Sequence, residues 1–154
     1  MRRTLWVALA SWLVSCAAHA HHSNAEYDRS ALRELEGELV GVVWANPHIA
    51  FKLRTVNSAG AVEDWELAGL PIALLEKASL SGSMFAVGDR VKAAGYASRR
   101  RTAMQVNNML VPTGEEALFY PDSGLRWSDK AAGGEWIRES VSGDRRGLYR
   151  IWSV

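Results

Sequence analysis

Residues 35–44 read LEGELVGVVW: Val40, Val42 and Val43 favour extended backbone, while Gly37 and Gly41 interrupt it from within. Glycine inside a strand marks a bulge or strong bend, which is how a small barrel turns its corners. Ala45-Asn46-Pro47 then forms a turn. Asparagine before proline is kept out of the helical region, and its side chain can bond its own backbone.

The pattern continues downstream. From Ile49 to Val56, Ile49, Phe51 and Leu53 alternate with Ala50, Lys52 and Arg54, the period of a half-buried strand. Asn57-Ser58-Ala59-Gly60 is a turn. The next strand, Val62 to Ala68, puts Trp65 and Leu67 on one face and Asp64 and Glu66 on the other. Between Gly69 and Gly82 the period becomes helical: Pro71 suits a first turn, and Ile72, Leu75 and Ala78 or Ser79 share a face. Gly82 is expected to end that helix. Val87-Gly88-Asp89 leads into a strand from Arg90 to Tyr96, and a basic loop, Ser98 to Arg101, precedes another from Ala103 to about Val111.

The order β-β-β-α-β-β predicts a mainly β protein: a five-stranded, OB-like barrel with one short helix. The barrel occupies residues 35–112, behind a polar, flexible arm at 21–34. Residues 113–154 contain Pro121, several glycines and alternating charges, and read as an irregular strap. Trp127, Trp136 and Trp152 predict that it packs on the barrel wall, and Leu148 to Val154 suits a short extra strand.

Residues 1–20 read as an export signal. Arg2 and Arg3 precede an apolar run from Thr4 to Val14, and Ala18-His19-Ala20 offers small residues to a signal peptidase. Cleavage after Ala20 would release a periplasmic or secreted domain beginning at His21. Leu13-Val14-Ser15-Cys16 resembles a lipobox, and lipidation at Cys16 would tether the same domain to a membrane. Cys16 is the single cysteine of the chain, so the domain has no disulfide to rely on and needs a real core. Without Arg2 and Arg3 the 18 basic residues become 16, against 17 acidic. That balance offers no general attraction to nucleic acid or to an anionic surface.

Three groups of residues carry candidate chemistry. His21 would offer an α-amine and an imidazole, which with His22 and His48 make a histidine-brace-like site for copper or zinc; Glu26, Tyr27 and Asp28 could add oxygen ligands. Trp44, Asn46 and His48 lie on a stiff turn able to present them to a ligand. Arg99, Arg100 and Arg101 border the usual ligand face of an OB barrel and suit phosphate, sulfate or carboxylate groups. No nucleophile, paired catalytic carboxylates or phosphate loop is visible, so the sequence does not read as an enzyme.

From the signal junction onward the chain resembles an uncharacterised family of exported bacterial proteins, domain of unknown function 6152. The resemblance rests on Ala20-His21-His22-Ser23 with Glu26-Tyr27-Asp28, on Gly41 to His48 (GVVWANPH), on Trp65-Glu66-Leu67, on Leu74-Leu75, and on Val87 to Val91 leading to Gly95-Tyr96. It implies export and an OB-like barrel, and carries over no activity. The expectation is thus a periplasmic binding or accessory module, taking copper or another divalent ion through its histidines. The alternatives are a metal-free interaction domain for a peptide, glycan or envelope partner, and a structural envelope protein.

Overall fold

The structure, a computed structural model, describes residues 26–133. Its elements are β1 (Arg33–Val43), β2 (Ala50–Val56), β3 (Val62–Ala68), helix α1 (Ile72–Lys77), a 3-10 turn (Gly82–Met84), β4 (Arg90–Ala97), β5 (Ala103–Leu110), β6 (Glu116–Leu118) and β7 (Ala131–Gly133). The strands lie in the order β3-β2-β1-β4-β5-β6-β7, and a parallel pairing of β3 with β5 closes the first five into a barrel. The predicted β-β-β-α-β-β order is therefore the observed one, with β6 and β7 added.

β1 is the strand that both halves of the barrel share. Its first half pairs with β4, from Arg33 opposite Gly95 to Glu38 opposite Arg90, and its second half pairs with β2 up to Val43 opposite Ala50. The two glycines make the change of partner possible. At Gly37 a Cβ would stand 2.1 Å from the Arg54 carbonyl oxygen, so only hydrogen fits where β2 crosses. The β1–β2 register slips between Leu39 and Gly41, which is the bulge that bends the strand.

Alternation then fills the barrel. Ile49, Phe51 and Leu53 are almost wholly buried and pack with Leu39, Trp65, Leu67, Val91, Met104, Val106 and Met109. Leu75 of α1 is fully buried and joins the same core. The helix stops earlier than Gly82. Ser79 takes a left-handed φ of 60°, and the Leu80 N–H returns to the Leu75 carbonyl at 2.9 Å. That reversal drives Leu80 into the core, and burying it offsets the cost of a left-handed serine.

Residues 113–133 of the strap pack on the barrel through Ala117, Phe119, Tyr120 and Ala132, while Trp136 and Trp152 lie outside the described residues. β6 pairs with β5, and β7 with β6; Ala117 and Phe119 join the core. Its organiser is Glu116, whose carboxylate is fully buried. It accepts from the Asn108 amide at 2.6 Å and from the backbone N–H groups of Arg126, Trp127 and Ser128 at 2.9–3.2 Å. Arg126 in turn pairs with Glu34 of β1. The suggested strand at Leu148 to Val154 lies outside the described residues. Among the described residues no helix is long and apolar enough to cross a membrane.

Candidate functional site: the His48 loop and the arginine hairpin

The loop from Trp44 to His48 leaves the barrel between β1 and β2. Trp44 is half-buried. Its ring stacks on Phe85 with centroids 5.7 Å apart and planes 24° from parallel, and Gly82 lies against it. Phe85 is itself packed on Phe51 at 4.9 Å and on Phe119 at 5.9 Å, so the indole is the outer end of an aromatic stack rooted in the core. Asn46 and Pro47, joined by a cis peptide bond, are exposed, and so is His48. The next residue, Ile49, is fully buried; its N–H donates to Leu70 O and its carbonyl accepts from Gly69 N–H. His48 therefore stands on a short exposed loop gripped at both ends.

The second group is the β4–β5 hairpin. Arg99, Arg100 and Arg101 lie together on its exposed tip, and two of them hold carboxylates of the chain itself. Arg101 donates from Nε to Glu26 at 2.7 Å and from NH1 to Glu66 at 2.7 Å. Arg99 reaches Asp28 at 3.2 Å. Ser98 Oγ adds a bond to Glu26 at 3.0 Å, and the backbone seals the contact: Asp28 N–H donates to Ala97 O, and Arg99 N–H to Glu26 O. Tyr27 bridges to Ser98 in antiparallel fashion.

The electrostatics follow. The Arg101 guanidinium, helped by Ser98, holds the Glu26 carboxyl below its usual range, against the opposing effect of burial. Ser30 first, and then Arg99, lowers Asp28. Partial burial raises the Tyr27 phenol. Arg101 is raised in turn, chiefly by its bond to Glu26.

From Glu26 to Asp28 the arm is thus held against the hairpin by one isolated bridge, two backbone hydrogen bonds and the arginine pairs, while residues 21–25 lie outside the described residues. Glu26 and Asp28, considered as oxygen ligands, bond to Arg101 and Arg99 respectively. The polar composition of the arm hid this because its partners lie far along the chain. The complementarity of Glu26-Tyr27-Asp28 with Ser98-Arg99-Arg100-Arg101 was the available signal.

Trp44, Asn46 and His48 come together on one loop, and Arg99 to Arg101 on another. His21 and His22 lie outside the described residues. Among the described residues no group of three or more histidine, cysteine, aspartate or glutamate side chains is placed to hold a metal ion. A shallow hollow of about 170 Å³ lies elsewhere, lined by Glu34, Leu35, Glu36, Lys92 and Trp127. Sequence reasoning missed Gly82 and Phe85 as the seat of Trp44.

Compared with known families, residues 8–107 match the model of a family described only as of unknown function (DUF6152). No curated protein and no solved structure matches the chain.

Proposed function

The chain belongs to DUF6152, a family of unknown function, and from its own residues we propose an exported binding module that takes up copper, or another divalent ion, through His48 and the N-terminal His21 and His22. Export is supported by Arg2-Arg3, the apolar run behind them and Ala18-His19-Ala20. Binding is favoured over catalysis because the sequence assembles no acid, base or nucleophile.

The observation that carries the metal reading is the anchoring of the arm near the strand that His48 precedes. Glu26 shares Arg101 with Glu66. Glu66 pairs with Lys52, four residues beyond His48. The arm that carries His21 and His22 is therefore tied to the sheet whose strand β2 follows His48, and imidazole with an α-amine suits copper.

Copper(II) titration of the mature protein tests this. Affinity is expected to be micromolar or tighter, and His48→Ala is expected to weaken it by about tenfold, ~1.4 kcal/mol. Unchanged affinity in that variant removes His48 from the site. The intact mass of the secreted protein tests the rest, since the brace needs cleavage after Ala20 and a free His21 amine. One observation favours the alternative of a metal-free interaction domain: the arginine hairpin already pairs with the acidic segment Glu26-Tyr27-Asp28 of the chain itself. Binding of an acidic peptide that persists in chelator, and falls when Arg99 and Arg101 are neutralised, would support that alternative.

A further inference from the structure

Gly82 opens the 3-10 turn behind α1, on a Ser81 cap whose hydroxyl accepts from Ser83 N–H at 3.3 Å. Its φ lies outside the left-handed region, so the backbone there would accept any residue. The need for glycine comes from its neighbour. A Cβ at position 82 would stand 2.7 Å from Trp44 Cγ and 3.0 Å from Cδ1 and Cδ2, inside the contact distance of two carbons. The indole has nowhere to retreat toward the core, because Phe85 is stacked beneath it and held by Phe51 and Phe119.

We infer that Gly82 is the positioning residue of the His48 loop: the space left by its missing side chain seats Trp44, and that seat sets where His48 stands. The inference rests on the reading of His48 as a metal ligand and adds the residue that places it. The far end of the loop is pinned by buried Ile49, bonded through its backbone to Gly69 and Leu70. A push on Trp44 is therefore taken up by the residues between, which are Ala45 to His48. Trp44 acts as a lever in this arrangement and Gly82 as its stop.

The test compares wild type, Gly82→Ala, Trp44→Phe and the double variant, in the mature chain, by two readouts. The first is the ¹H–¹³C resonance of the His48 imidazole without metal. In Gly82→Ala it is expected to shift and broaden, and in the double variant, where the smaller ring makes room, to return toward its wild-type position. An unmoved His48 resonance in a folded Gly82→Ala protein overturns the inference, whatever copper does. The second readout is copper(II) affinity in each background with and without His48→Ala. The tenfold effect of that substitution is expected to shrink below about twofold in Gly82→Ala and to recover in the double variant. If copper binding in wild type ignores His48, the ligand reading fails, and the resonance alone decides whether Gly82 places the loop. If Gly82→Ala does not fold, Trp44→Phe alone is expected to move the His48 resonance by loosening the seat, and a fixed resonance there overturns the inference.

Discussion

Arg101 holds two carboxylates that belong to distant parts of the chain, Glu26 at 75 residues' separation and Glu66 at 35. Arg101→Ala is expected to free the arm while leaving the barrel intact. In hydrogen exchange the amides of Asp28 and Arg99 should then open roughly fivefold faster, with the core amides unchanged, since a part-exposed pair contributes at most ~1 kcal/mol. The positive charge of the hairpin was legible from Ser98 to Arg101, but its partners were not, because nothing local in a sequence says which carboxylate will fold back. Trp44 shows the same limit. Its identity and its turn were legible, but not that its ring lies against a glycine 38 positions later in the chain.

Among the elements, the strands were the easiest to read. Period-two alternation in β2 and β3 follows from burying one face of a sheet, and the glycines of β1 announced its bend. β6 and β7 were hidden, because three residues each are too few to show a period, and Glu116 beside Glu115 looks like a solvated pair. In the structure Glu116 instead gathers the strap, accepting from the Arg126, Trp127 and Ser128 amides. Glu116→Gln keeps the size of the side chain but turns an amide donor on those N–H groups. The expected loss is about 2–3 kcal/mol, the usual worth of hydrogen bonds to a buried charge. Urea unfolding measures it, and the exchange of the 126–128 amides should rise with it. A change below 0.5 kcal/mol, at the noise level of surface substitutions, would show that the strap is held by Phe119 and its neighbours instead.

For the molecule as a whole, the ion pairs set a response to acid. Arg54 and then Lys52 lower Asp64 to about 2, and Arg101, Ser30 and Arg126 respectively lead the lowering of Glu26, Asp28 and Glu34. Carboxyls lowered in the folded state stabilise it fully above their unfolded values of roughly 4 and lose that contribution as pH falls through the folded ones. The melting temperature is therefore expected to hold from pH 7 to about 5 and to decline from about pH 4 toward 2, more gently in high salt because the pairs are exposed. A flat profile across that acid window would show that they contribute nothing. The fold class was legible because a closed barrel needs little beyond five alternating strands and one that bends. The closure itself has a consequence in time. β3 meets β5 through only Glu66, Leu67 and Ala68 against Ala103, Met104 and Gln105, and the chain between them must first wander through α1 and β4. Such distant pairing comes late and slowly in folding, on the millisecond-to-second scale of small barrels. The inner faces of β3 and β5 share one closed wall only once that seam has shut, so the last cover over the core depends on three residue pairs.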